Sequence, residues 1–173
     1  QHLGVCAVED GDLMIRVDDD GVGMSAADIA REAAELHSRS HASFVLDTME
    51  FLAAGGRCPT LVAYLGGKLS CRPGILVDNQ SGAMKVGKLY RGKQEKVLER
   101  YVSDTLARYP DIVKDEIFVT HSGVSDEIAD AVRRMLEERG FQNIYTTTAS
   151  CPISSHCGPG TLGILFMTET PSA

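Results

Sequence analysis

The residues best equipped for chemistry lie together near the end of the chain, in Ser154-Ser155-His156-Cys157-Gly158-Pro159-Gly160-Thr161-Leu162-Gly163. Three glycines and a proline within six positions favour a tight, rigid turn, because glycine tolerates positive φ and proline fixes its own. Backbone N–H groups in such a turn can converge on one point and hold an anion. Ser155 and His156 stand immediately before it, so Ser155, His156, Gly158 and Gly160 are candidate ligand contacts. The plain alternative is a loop joining two core strands, with His156 satisfied by a backbone carbonyl. A serine hydrolase is the weaker reading of Ser155 beside His156: adjacent residues rarely point at each other, and no Ser-His-Asp order or paired carboxylate accompanies them.

Two arginines and a second histidine join the candidates. Arg57 follows Gly55-Gly56 at an expected helix end, where it can present a guanidinium fork or simply pair with a surface carboxylate, and Arg91, in a basic stretch, precedes Gly92 at an expected strand end. His121, in His121-Ser122-Gly123, closes an expected strand, at the end where α/β sheets place ligands. A zinc site from Cys151, His156, Cys157 and His121 lacks the paired spacing such sites use. The five cysteines are odd in number and scattered, which reads as free thiols in a reducing cytoplasm.

Composition sets the bounds. With 173 residues, 43% of them hydrophobic, the chain can bury roughly 70% of its unfolded surface in one domain. No apolar run approaches the length of a membrane span. The chain opens on Gln1 and runs directly into Leu3 to Val8, as a fragment or processed product would. A net charge of −7 argues against nucleic acid as partner, since phosphate backbones demand clustered cations. The local exception runs from Lys85 through Lys88, Arg91, Lys93 and Lys96 to Arg100, either a solvated face or a docking patch for an acidic or phosphorylated partner.

These candidates need elements to hold them. Val5 to Val8 reads as a strand, Leu13 to Val17 as strand or helix. Ser25-Ala26-Ala27-Asp28 is a capping box opening a helix with a narrow apolar face. Ala42 to Leu46 is a strand, and Asp47-x-x-Glu50 is expected to cap a short helix turning Met49, Phe51 and Leu52 inward, stopped by Gly55-Gly56. Pro59 to Leu65 is expected to be helical. Gly74 to Asp78 and Ala83 to Tyr90 form a hairpin about Asn79 to Gly82. Lys93 to Arg108 is an amphipathic helix with Val97, Leu98, Tyr101, Val102 and Leu106 on its inner face. Glu116 to Thr120, a helix from Ser125 ending at Gly140, and Ile144 to Thr148 form a βαβ unit with parallel strands. Leu162 to Met167 reads as a buried strand. The fold class is α/β, a mixed sheet with helices.

One local alternative for function is Asp19-Asp20-Gly21-Val22-Gly23, which resembles the Asp-x-Gly-x-Gly box of Bergerat-type (GHKL) ATPases. The Mg-binding Asn of those enzymes is not visible upstream, and the nearest second glycine box is far downstream.

Taken in order, Phe44 to Leu52, Gly55-Gly56-Arg57, Leu69-x-x-Arg72-Pro73-Gly74-Ile75, Arg91-Gly92-Lys93 and His156-Cys157-Gly158-Pro159-Gly160 resemble the DegV family of bacterial fatty-acid-binding proteins, which partner a fatty acid kinase. The resemblance runs from about Ser25 to Met167; Cys157 stands where the family usually has Thr. It implies a DegV-like mixed sheet in which residues 1–40 are the tail of an incomplete N-terminal α/β domain and 41–173 the C-terminal domain, with Leu13 to Asp20 helical. It also implies a cytoplasmic carrier that has no cofactor and does no covalent chemistry. The carrier binds a long-chain fatty acid and presents its carboxylate to the kinase for acyl-phosphate formation. His156, Ser155, Gly158, Gly160 and His121 would face the ligand, Arg57 and Arg91 the kinase. The Ser/Thr-rich loops that grip the carboxylate in the family's first domain are absent from this sequence.

Overall fold

In the computed structural model, residues 2–9, 12–18, 23–56 and 71–171 are described. The chain divides into two compact units, Gln1–Glu35 and Leu36–Ala173.

In the first unit, β1 (His2–Glu9) pairs antiparallel with β2 (Asp12–Asp18), with a bulge between Val5 and Val8. The ambiguous Leu13 to Val17 is therefore a strand, and the helix implied for it by resemblance is not formed: its backbone hydrogen bonds go across to β1 instead of along its own axis. Helix α1 (Ala26–Arg39) begins in this unit and runs into the next. Its start follows the capping box, with Ser25 Oγ accepting from the Asp28 N–H and donating to the Asp28 carboxylate.

The second unit is a six-stranded sheet in the order β5-β4-β3-β8-β6-β7. Its strands are β3 (Ser40–Val45), β4 (Arg72–Val77), β5 (Met84–Tyr90), β6 (Ile112–Ser122), β7 (Asn143–Thr148) and β8 (Thr161–Thr168). Only β6 and β7 pair in parallel, as expected for strands joined through a helix; every other neighbour is antiparallel. The β4–β5 hairpin turns where Asp78 accepts from both Ser81 and the Gly82 N–H, with Gly82 at φ 68°.

One face of the sheet is covered by α3 (Gln94–Arg108) and α4 (Asp126–Glu137). The helical spacing anticipated for α3 brings Val97, Leu98, Tyr101, Val102 and Leu106 into a core with Val45, Ile117, Val119, Leu162, Ile164 and Phe166 of the sheet and Val132 and Leu136 of α4. The Tyr101 hydroxyl fastens this helix to two strands, bonding Ser43 Oγ at 2.8 Å and accepting the Ile164 N–H. Burial raises its pKa, so it stays a protonated donor.

Alternation puts the intervening residues on the opposite face. Cross-strand register aligns them in two rows, Val86–Ile75–Phe44–Gly163–Thr120–Thr147 and Met84–Val77–Ala42–Leu165–Phe118–Tyr145. Two short helices, α2 (Glu50–Ala54) and α5 (Cys151–Cys157), reach over the first row: Leu52 and Cys157 join Leu46 and Ile75 in a second small core, with Phe44, Met84 and Val86 against it. The other row is left partly bare. Leu165 is 38% exposed and Tyr145 43%, and Tyr145 stacks on Phe118 at 5.0 Å. The run Leu162 to Met167, read from sequence as a buried strand, is buried except at Leu165, which is exposed, and Met167, which is half-covered.

Candidate ligand-binding site

The pairing pattern sends β3, β5, β6 and β7 toward one edge of the sheet, and β4 and β8 start from it. That edge gathers Asp47 and α2, Cys71-Arg72, Arg91-Gly92, His121 to Gly123, α5 and Gly158 to Thr161. The motifs spaced along the sequence are neighbours here because four strands end where two begin.

The stretch read as a turn is in part helical. Ser150 is the N-cap residue and Pro152 lies in the first turn of α5, so Ser154, Ser155, His156 and Cys157 occupy helical positions and the turn begins only at Gly158. Gly158 (φ 76°) and Gly160 (φ 78°) then take the left-handed backbone that glycine favours. The segment is pinned to its neighbours by Gly160 N–H donating to Ser122 O at 2.6 Å, Gln94 Nε2 to Gly160 O at 3.0 Å and Thr161 Oγ1 to Cys157 O at 2.9 Å.

Within that frame the candidates separate. His156 is half-buried at the seam between α2 and α5, with the Nδ1–Cε1 edge of its ring against Gly55. Gly158 lies under the ring of Phe51. Phe51, expected to face inward, is 38% exposed and covers this glycine; Leu52 is the residue of α2 that enters the core. The Ser155 side chain is exposed and its hydroxyl donates to Cys151 O one turn back. His121 follows Ile117 and Val119 in the alternation of β6, on the helix-covered face, whereas Ser122 and Thr120 point to the open one. His121 Nδ1 is buried with no hydrogen-bond partner among the described residues. Burial raises the Cys157 pKa, so it packs as a protonated, apolar thiol. No group of three His, Cys, Asp or Glu side chains suited to a metal ion occurs among the described residues.

Arg57 lies outside the described residues, as do the helix expected at Pro59 to Leu65 and Asp19 to Val22 of the ATPase-like box. Arg91 is exposed, and its Nε contacts Cys71 Sγ at 3.1 Å. The basic stretch is partly neutralised in place by the pairs Lys85–Asp78, Lys88–Asp104 and Lys96–Glu99; Arg91, Lys93 and Arg100 form no ion pair with the described residues. Asp47, expected to cap α2, instead pairs with Arg72, whose other nitrogen reaches Gly92 O; Thr48 Oγ1 receives the Glu50 N–H in its place. The carboxylate thereby ties the end of β3 to the start of β4 and the end of β5.

The profile of the DegV family, described as an uncharacterised protein family, matches residues 19–169. The chain belongs to the DegV family. A DegV domain-containing protein of Lactococcus lactis is 27% identical over 151 residues, 85% of this chain and 50% of the relative. A DegV family protein of Thermus thermophilus, whose solved structure is described as fatty acid binding, superposes with TM-score 0.71 at 25% identity, over 84% of this chain and 51% of its own. The fatty acid kinase B3 protein of Streptococcus pneumoniae, solved with linoleic acid, has the same fold at TM-score 0.72 and 15% identity, again over 84% of this chain and 50% of its own. This DegV chain spans about half the length of the curated relatives it matches. Asp19 to Gly23 falls within the DegV match, which gives no support to an ATPase.

Sequence reasoning missed Phe51 as the cover of Gly158 and the exposed side of Leu165, Phe118 and Tyr145. Alternation about Ile117 and Val119 was the available signal for Phe118; none distinguished Leu165 inside an unbroken apolar run.

Proposed function

We propose that this DegV chain is part of a fatty-acid carrier, with the bare apolar row on the sheet as the floor for the acyl chain and the His156 seam as its polar end. The observation that carries the reading is that both belong to one face of the sheet: Leu165 and Tyr145 are exposed and Phe118 is half-covered on the face that α2 and α5, with the imidazole at their seam, cover only in part. An acyl chain needs apolar contact along its length, and its carboxylate needs a donor at one end, because an unpaired buried carboxylate is prohibitively costly. His156 supplies that donor, directly or through a water, and the turn at Gly158 and Gly160 lets the ligand approach the backbone.

In this reading residues 1–40 belong to a first α/β domain and 41–173 form the second, and the remainder of a full-length chain supplies the other wall and further carboxylate donors. The carrier performs no chemistry of its own; a cytoplasmic fatty acid kinase delivers the phosphoryl group to the presented carboxylate, with Arg57 and Arg91 as the residues it recognises. Ser155 and His121 are support at the same sheet edge.

Mass spectrometry of the full-length protein as purified tests the binding. A long-chain fatty acid released on denaturation is expected, with its occupancy lowered by His156→Ala. Full-length protein that is repeatedly empty and fails to take up added oleate sinks the proposal. Kinase-dependent acyl-phosphate formation, abolished by Arg91→Ala while oleate stays bound, tests the partner face.

A further inference from the structure

The structure assigns Gly55 as a positioning residue: the side chain it lacks is the seat into which the His156 ring fits. The two glycines that end α2 serve different ends. Gly56 has φ 63° and open space around it, so its conformation is what calls for glycine; Gly55 has φ −75° and ψ −3°, ordinary helical backbone for any residue. What a side chain at Gly55 would displace is the imidazole itself. A Cβ built there falls 2.3 Å from His156 Nδ1 and 3.0 Å from Cε1, far inside van der Waals contact.

The arrangement is reciprocal. A Cβ on Gly158, which ends α5, falls 2.3 Å from the Phe51 ring of α2. Each helix therefore ends in a glycine that receives a ring from the other. Among the described residues the imidazole makes no hydrogen bond, and its Nδ1–Cε1 edge is packed against Gly55. With the Nδ1–Cε1 edge turned to Gly55, Nε2 is the nitrogen left for a ligand. Position 55 thus decides where the donor stands, although it touches no ligand itself.

This inference rests on the fatty-acid reading of the site, and the experiment separates the two. In the full-length protein, Gly55→Ala is expected to shift the His156 imidazole NMR resonances and weaken oleate binding about tenfold, the scale of a lost hydrogen bond to a charged group. Added to His156→Ala, the same substitution is expected to change oleate affinity no further, since the ring it displaces is gone. An unmoved imidazole resonance, or an equal loss of affinity in the His156→Ala background, overturns the assignment. If His156→Ala binds oleate as tightly as the unaltered protein, the ligand role of the ring falls, while a shifted resonance in Gly55→Ala still upholds the seat. Should Gly55→Ala alone fail to fold, the pair Gly55→Ala with His156→Ala is expected to fold because the clash is removed; failure of the pair as well overturns the assignment.

Discussion

The two faces of the sheet are built from the same six strands and treated oppositely. On one, Ile117, Val119, Leu162 and Ile164 are fully enclosed by α3 and α4; on the other, their immediate chain neighbours Phe118 and Leu165 are left half-covered. Residues one position apart, of similar apolarity, therefore do different work: the enclosed set holds the fold together, and the bare set is available to a ligand. A large contiguous apolar surface is unusual unless something binds it.

The sharpest way to break that comparison is to shorten one residue on each face. Ile164→Ala empties a fully buried site and is expected to cost about 2–5 kcal/mol in chemical denaturation. Leu165→Ala, one residue along, is expected to cost about 1 kcal/mol or less because much of its surface already meets water. Equal losses would mean the two faces are not energetically distinct.

Tyr101→Phe comes next in size and probes how the closed face is fastened. It keeps the ring but removes the bonds to Ser43 Oγ and the Ile164 N–H inside the core, which puts the expected loss at about 1–3 kcal/mol with oleate binding unchanged. A variant as stable as the original would show that the hydroxyl contributes nothing to holding α3 on the sheet.

A smaller effect on stability, but a direct one on function, is expected on the open face. Leu165→Ser should leave the denaturation midpoint nearly in place while weakening oleate binding several-fold, since it exchanges part of the acyl floor for a hydroxyl. Unchanged oleate affinity would move the acyl chain off this row.

The contrast between the faces also explains what was legible beforehand. Period and punctuation carried the closed side: the helical spacing of α3, the βαβ unit and the hairpin about Asn79 to Gly82 all lie in long, strongly patterned segments. The open side depends on short elements and on absence of cover, neither of which leaves a periodic trace. Helix α5 has seven residues, too few for a face to repeat, and only Ser150 ahead of Cys151-Pro152 signalled its start. Asp47 had the spacing of a helix cap, yet Arg72, a long way along the chain, offered it a full charge, and a guanidinium outcompetes a backbone N–H. Likewise the strand at Asp12–Asp18 was decided by a partner across the hairpin, after local pattern had left two options. The ordered motifs identified the family, but the seat of His156 on Gly55 required knowing that α2 and α5 meet.

The smallest expected effect concerns the closed face at its lower end, where His41 lies between Tyr109 and Phe166, with centroids at 4.4 and 5.4 Å, and Nε2 meets Thr168 Oγ1 at 3.0 Å. Thr168 Oγ1 has carbonyl acceptors at Thr170 and Arg39 for its single proton, so the imidazole is the donor to it. Burial lowers the His41 pKa from its usual 6.5, only partly offset by Asp111. The folded state therefore binds this proton less readily than the unfolded one, so stability is fully present above about pH 6.5 and declines as pH falls through the lowered folded-state value. Between pH 7 and pH 5 the midpoint of denaturation should fall more for the unaltered protein than for His41→Phe, which keeps the ring stack and has nothing to protonate. A steeper fall in His41→Phe would reverse the sign and place the acid-sensitive group elsewhere on the sheet.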